Sequence, residues 1–304
     1  MGSLHPALDR HDAGCGCHAC NLPSVTANEY AVEESGREDP THTTTDVREL
    51  SRWIRGRIGE VDAAVREKIL DEDAFGMGDS SYSEWSGLSD ADKARRFSDW
   101  LDEQIESTVF TSEFEEKAER HLEHAVERGA RDAHRELRDA GVDIGDADET
   151  LAQDNVQEAI GLGVVALAGR IRDEMDDFRG DTRQIITDGG LEVSRTQLVS
   201  DIVERGEVYK SNATADVAGE VVNQYNTTGQ LSSYERVPDD VEIELNVEPE
   251  FVTAGDDAVC EFCQELARRD WTLEDAQEFH IPNDTHDYCR CRWRVTDVRT
   301  LEDL

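Results

Sequence analysis

Cysteine and histidine residues near the C-terminus have the spacing of a metal site. Cys260 and Cys263 form a Cys-x2-Cys pair, and a second group, His286-x2-Cys289-x-Cys291, begins 23 residues after Cys263. Zn2+ prefers four tetrahedral ligands, with bonds of about 2.3 Å to sulfur and about 2.0–2.1 Å to nitrogen. The spacing therefore predicts that four of these five residues bind one zinc ion.

The choice between the last two cysteines is open from spacing alone. If the chain around them is extended, Cys289 and Cys291 lie on the same face, because side chains alternate along a strand. We expect Cys289 to be a ligand, with Cys291 as the next candidate. Reduced structural cysteines beside an unrelated histidine are the alternative. The full expected ligand set is Cys260, Cys263, His286 and Cys289.

Such a zinc ion would be structural. Four protein ligands close the coordination sphere, whereas a catalytic zinc keeps one position open for water. The surrounding segment has few apolar side chains of its own, and the binding energy of a metal becomes folding energy in a small module. These apolar residues are Phe262, Leu266, Trp271, Leu273, Phe279, Ile281, Trp293 and Val295.

A second cysteine cluster lies near the N-terminus. Its residues are numerous enough to hold another zinc ion, but no apolar residues surround them to position the ligands. A flexible, redox-active arm is the alternative. The candidate ligands of this second metal site are Cys15, Cys17, His18 and Cys20.

Three histidines share one predicted helix. His121 and His124 are three residues apart, which permits a shared metal ion on one helix face, and His134 follows. A solvated acidic face is the alternative interpretation, and we prefer it from the sequence.

The composition is strongly acidic. The chain has 70 acidic and 31 basic residues, a net charge of -39, and only four lysines. In about 1 M salt the Debye length falls to about 3 Å, so that the self-repulsion of such a chain is largely screened. The composition predicts a halophilic source, and it indicates no particular activity. Because no apolar run approaches about 18 residues, we expect no membrane span, and the polar N-terminus predicts no secretory signal.

Apolar residues recur at three- and four-residue steps through the middle of the chain, which predicts helices. The first begins near residue 45 and the second covers about 89–108. A third ends before Gly141, and others cover 147–178, 190–204 and 206–228, with Gly229 as the last terminator.

The pattern changes after Gly229. Val241, Ile243, Leu245 and Val247 alternate with acidic residues, which predicts a half-buried strand, and residues 251–253 could pair with it. The expected fold is mainly α, with an elongated helical body followed by a small α+β module that a zinc ion stabilises. The expected regions are a flexible polar arm (1–44), the helical body (45–229) and the zinc module (230–304).

Four arginines form a locally basic stretch beside the last cysteine. Because the whole chain is acidic, we expect them to pair with carboxylates of this protein or of a partner rather than with DNA phosphates. They are Arg290, Arg292, Arg294 and Arg299.

The C-terminal region resembles a known family. Residues 253–257 read TAGDD, residues 259–263 read VCEFC and residues 286–291 read HDYCRC. This order is similar to the C-terminal signature of the phage Mu F-like head morphogenesis family. Upstream, residues 205–213 read RGEVYKSNA and resemble that family's helix with an Arg-Thr-Glu motif and a later Asn, with Gly206 in place of the Thr.

This resemblance, which covers about residues 190–295, implies a structural role without catalytic residues. Members are minor capsid proteins, typically encoded beside the portal protein. Together with the acidic composition, it implies a portal-proximal minor head protein of a haloarchaeal tailed virus or provirus that assists capsid assembly or DNA packaging and ejection. The expected partners are the portal and major capsid proteins, with packaged DNA as a further candidate. The expected location is the capsid interior or portal vertex, and the host cytoplasm during assembly.

Other functions of a zinc-binding chain are a zinc-ribbon interaction module of a host protein and a zinc-dependent nuclease using His280, Asn283 and His286. An acidic chain without a basic groove is poorly suited to bind nucleic acid. A zinc deaminase is excluded, because its signature requires Pro immediately before the Cys-x2-Cys pair, where this chain has Val259. We expect no enzymatic activity.

Overall fold

The computed structural model describes residues 43–78, 83, 85, 87–142, 144–237, 245–253, 259–279, 281, 284–285, 289 and 291–300. Within these residues the protein is mainly α-helical, as the sequence predicts, and two strands form its sheet. The predicted N-terminal arm, including Cys15, Cys17, His18 and Cys20, lies outside them except for its last two residues.

The helices and strands follow one another in a simple order. The helical part comprises α1 (Thr44–Arg66) with a π-helical extension (Glu67–Asp71), α2 (Asp90–Thr108), α3 (Ser112–Asp139), α4 (Ala147–Leu151), α5 (Asp154–Thr187), α6 (Arg195–Ser211), a π-helical turn (Asn212–Val217) and α7 (Ala218–Glu235). The C-terminal part comprises β1 (Leu245–Val252), α8 (Glu261–Leu266), α9 (Leu273–Glu278) and β2 (Arg292–Thr300).

The chain forms two compact units. The first unit contains the described residues of 1–48, 119–164 and 218–304, and the second unit contains those of 49–118 and 165–217. The boundaries of the three regions predicted from the sequence, 1–44, 45–229 and 230–304, remain predictions.

The second unit buries the apolar stripe of α1. All six buried residues of this stripe recur at helical spacing, so the predicted amphipathic helix is confirmed. Ring contacts extend the core, with Trp53 against Phe114 and Phe75 against Phe97 at centroid distances of 5.8 Å and 5.3 Å. The buried stripe consists of Leu50, Ile54, Ile58, Val61, Val65 and Ile69.

In the first unit, α3 and α7 pack through glycines. A Cβ added at Gly129 would lie 1.9 Å from the carbonyl oxygen of Asn226, and one added at Gly229 would lie 2.1 Å from that of Val126. The two backbones are therefore in direct contact. The prediction that Gly229 ends a helix is wrong, because α7 continues to Glu235 and this glycine permits a close helix crossing instead.

The two strands form an antiparallel pair. Phe251 of β1 lies opposite Trp293 of β2, and the register shifts between Glu248 and Pro249. A proline cannot donate to the ladder, which fits its position at this irregularity. The prediction that residues 251–253 pair with the preceding strand is wrong, since Phe251 and Leu245 belong to the same strand. The paired residues of the two strands lie 40 to 55 positions apart along the chain, from Val252 and Arg292 to Leu245 and Thr300.

Among the described residues, every helix is too short or too polar to cross a lipid bilayer.

Candidate metal centre

Two short elements position the C-terminal cysteines in the first unit. Cys260 is the N-cap of α8, and the backbone N–H of Cys263 donates to its Sγ at 3.4 Å. Cys291 immediately precedes β2, so the pairing of β2 with β1 fixes its place. Helix and strand therefore bring the two halves of the predicted motif to one location.

The thiols of this cluster have the spacing that a metal ion requires. The Sγ atoms of Cys263, Cys289 and Cys291 all lie within 4.8 Å of one another, and those of Cys263 and Cys289 are 3.9 Å apart. Two thiolates on a tetrahedral zinc with bonds of about 2.3 Å are about 3.8 Å apart. Cys260 contacts Cys263, and all four cysteines are buried and free of disulfides. This cysteine cluster could hold a metal ion.

Burial and contacts among the thiols change the pKa values of Cys263 and Cys291. Contacts with Cys260, Cys289 and Cys291, together with burial, raise the pKa of the Cys263 thiol. Contact with Cys263 lowers the pKa of Cys291, but contact with Cys289 and burial outweigh this effect and raise it. Crowded, buried thiols therefore keep their protons until a cation compensates the thiolate charges.

Aromatic side chains pack in the same core as the cysteine cluster. Trp271 and Trp293 meet edge to face at 4.9 Å, and Phe251 and Phe279 contact both rings. The indole N–H of Trp271 donates to the carbonyl oxygen of Leu266 at 3.0 Å, which ties the ring to the end of α8. This core also includes Leu137 of α3 and Tyr234 of α7, beyond the apolar set expected from the sequence.

The structure describes some of the ligands expected from the sequence, and the others lie outside the described residues. It places Cys263, Cys289 and Cys291 in one cluster, with Cys260 in contact with Cys263, and which four of the five candidates bind an ion stays a prediction. His286 lies outside the described residues, so its role as a ligand stays a prediction. The same holds for the N-terminal ligands Cys15, Cys17, His18 and Cys20.

No protein-family model matches this chain, and no curated protein or solved structure matches it significantly. The resemblance to the head morphogenesis family therefore rests on the quoted residues alone.

Two arginines beside the cluster pair with carboxylates, as expected. Arg292 donates to Glu136 of α3 at 2.7 Å, and Arg294 donates to Glu250 of β1 at 3.2 Å. Glu136 also accepts from the hydroxyl of Tyr234 at 2.6 Å and from the backbone N–H of Val295 at 3.1 Å. One carboxylate thus joins α3, α7 and β2.

Sequence reasoning missed this role of Glu136. Its only signal was a carboxylate near the end of an amphipathic helix, which many surface positions share. The side chains of Arg290 and Arg299 lie outside the described part.

The upstream motif residues make contacts within the second unit. Arg205 pairs with Asp181, Glu207 accepts from Lys210 at 2.6 Å, and Asn212 donates to Glu174 at 3.0 Å. A Cβ at Gly206 would lie 3.1 Å from the ring of Phe178, so the small residue fits a tight contact. Two of these contacts join α6 and the π-helical turn after it to α5, and the contact between Glu207 and Lys210 lies within α6; they indicate a packing role.

The three histidines of α3 are arranged differently from the expected solvated face. His121 and His134 are buried, and His124 is exposed. His134 contacts the carbonyl oxygen of Gly145 at 3.1 Å and the hydroxyl of Thr150 at 3.3 Å. The preferred interpretation is therefore wrong for two of the three.

Proposed function

We propose that the cysteine cluster binds one Zn2+ ion as a structural centre. The observation that carries this proposal is the convergence of three buried, unoxidised cysteines, Cys263, Cys289 and Cys291, whose sulfur spacing suits a tetrahedral zinc, with the buried Cys260 in contact with Cys263. Thiolate ligands favour zinc over hard cations such as Mg2+ or Ca2+. The N–H donated by Cys263 to the sulfur of Cys260 adds a stabilising contact to a charged ligand.

A structural role fits this site better than a catalytic one. Four sulfur ligands complete the coordination sphere, and the cysteines are at most 5% exposed. A substrate would need both an open position on the ion and a path from solvent. The ion would instead fasten α8 to the start of β2.

The zinc proposal is tested by native mass spectrometry of the full chain purified without chelators. We expect one ion that survives dialysis and is lost in Cys263→Ala but kept in Cys17→Ala, a matched change in the N-terminal cluster. Since Cys263→Ala could also unfold the module, Co2+ substitution of the wild type provides a second measurement. Tetrahedral thiolate coordination gives an intense sulfur-to-cobalt charge-transfer band. Its absence, or an ion that Cys263→Ala retains, contradicts the proposal.

We further propose that the protein is a structural minor head protein of a tailed virus of a halophilic archaeon. Support comes from the resemblance of residues 253–291 to the head morphogenesis signature, from the joining of its two cysteine segments, and from the net charge of -39. The portal and major capsid proteins are its proposed partners, packaged DNA is a further candidate, and the capsid interior or portal vertex is its proposed location.

The test is mass spectrometry of purified particles released by cells that carry the genome encoding this chain. We expect the chain to copurify with the portal protein through a density gradient in high salt. A chain abundant in the cell lysate but absent from purified particles would refute the virion role and favour a host zinc-ribbon interaction module. Metal-dependent DNA cleavage that is lost in His280→Ala would favour the nuclease instead.

A further inference from the structure

A second group of metal-binding side chains lies in the first unit, apart from the cysteine cluster. The Nδ1 atoms of His121 and His124 lie 3.7 Å and 3.6 Å from Oδ1 of Asp46. The three ligand atoms are all within 4.8 Å of one another. The two histidines come from successive turns of α3, and Asp46 comes from the first turn of α1.

The carboxylate of Asp46 is fixed by its other oxygen. Arg128 donates to Oδ2 at 2.8 Å, which directs Oδ1 to the two imidazoles. The side chain is therefore an oriented carboxylate that is only 5% exposed.

The imidazole of His121 supplies an independent observation. Its side chain is 2% exposed, and within the described part of the chain its Nδ1 has no partner at hydrogen-bond distance. A buried polar atom without a hydrogen bond is costly and calls for an explanation such as an ion. This atom lies 3.7 Å from Oδ1 of Asp46, and the same Oδ1 lies 3.6 Å from Nδ1 of His124.

We propose that Asp46, His121 and His124 bind a divalent transition-metal ion such as Zn2+ or Co2+. Two imidazoles and one carboxylate form a common ligand set for these ions and leave further positions for water. Tetrahedral ligand atoms at bonds of about 2.0–2.1 Å are about 3.4 Å apart, close to the spacing found here. His124 is half exposed, so its ring can turn and shorten the 3.6 Å distance between its Nδ1 and Oδ1 of Asp46 to about 3.4 Å.

One of the three proposed ligands borders a cleft. The cleft, of about 540 Å³, is lined by His124 and Arg128, so an ion would reach the site from the side of His124. This site differs from the cysteine cluster, where four thiols are buried together. It would therefore hold an exchangeable ion rather than a permanent one.

The experiment is a Co2+ titration of the full chain as purified, followed by calorimetry and visible absorption. We expect one Co2+ ion with the weak visible bands of nitrogen and oxygen coordination, without the thiolate charge-transfer band. This ion also raises the unfolding temperature by mass action. His124→Ala lowers its affinity by at least about tenfold, and Asp46→Asn lowers it as well.

Glu119→Ala is the matched control, because it removes an exposed carboxylate from the same helix outside the ligand set. This variant binds the ion as the wild type does. The proposal is overturned if the wild type binds Co2+ only with thiolate bands. It is also overturned if His124→Ala and Glu119→Ala bind Co2+ with equal affinity. His124 is exposed, so a folded His124→Ala protein is expected and is checked by circular dichroism.

Discussion

The role of Cys291 decides between two ligand sets for the cysteine cluster: four thiols, or three thiols with His286. Its thiol lies within 4.8 Å of those of Cys263 and Cys289, with Cys260 in contact with Cys263. We expect Cys291→Ala to remove stoichiometric zinc, because no fourth thiol would then complete the sphere. His286→Ala should keep one zinc ion per chain. Elemental analysis after gel filtration measures both, and zinc loss in His286→Ala alone would restore the ligand set expected from the sequence.

Lys210 makes a buried ion pair in the second unit. Its Nζ lies 2.5 Å from Asp62 and 2.6 Å from Glu207, and the residue is 5% exposed. Burial alone would lower the pKa of Lys210, but the two carboxylates outweigh burial and raise it. Lys210→Ala leaves the Asp62 carboxylate buried without its cation.

We expect Lys210→Ala to lower the free energy of unfolding by about 3–5 kcal/mol. Lys93→Ala removes a pair whose carboxylate, on Asp90, is 70% exposed, and it should cost less than about 1 kcal/mol. Urea unfolding of both variants in the same salt measures the difference. Equal effects would show that the buried pair contributes no more than a surface pair.

The residues that could be predicted from the sequence are those whose partners lie nearby along the chain. The Cys-x2-Cys pair and the spacing of Cys289 and Cys291 indicated a metal site directly. Asp46 could not be assigned to His121, because 75 residues separate them and only folding brings α1 to α3. A single carboxylate among 70 acidic residues carries no signal of its own.

At the scale of elements, the crossing of α3 and α7 depends on the absence of side chains. A Cβ at Gly229 would lie 2.1 Å from the carbonyl oxygen of Val126, so Gly229→Ala must push the helices apart. We expect a loss of about 3 kcal/mol in unfolding free energy. Gly161→Ala is the matched control, because a Cβ at that helical position has nothing within 4 Å.

Gly161→Ala should be neutral or stabilising by up to about 1 kcal/mol, since alanine favours the helix. Thermal and urea unfolding of the two variants measure the contrast. Equal stability of the two variants would contradict the close crossing of α3 and α7.

Amphipathic helices were predictable, whereas their breaks and the sheet pairing were not. The stripe of α1 and that of α3 face a core, and the apolar period alone reveals them. The predicted helix over 147–178 is divided into α4 and α5, and α6 continues to Ser211 before a π-helical turn. Such breaks depend on tertiary contacts. The pairing of β1 with β2 joins distant segments, which no local pattern specifies.

At the scale of the whole molecule, the net charge of -39 leads us to expect that the stability depends on the salt concentration. Raising the salt from about 0.1 M to about 1 M shortens the Debye length from about 10 Å to about 3 Å. We expect the free energy of unfolding to rise over this range in KCl, because repulsion between surface carboxylates is screened. Urea unfolding at each salt concentration measures it. An unchanged or falling stability would argue against adaptation to high salt.

The aromatic core beside the cysteine cluster has an optical consequence. Trp271 and Trp293 are in mutual contact in the first unit, whereas Trp53, Trp85 and Trp100 belong to the second unit. In the zinc-bound form that we propose, loss of the ion would loosen the surroundings of the first two indoles and leave the other three as a constant background. Intrinsic fluorescence would then follow metal release in real time, without any added dye.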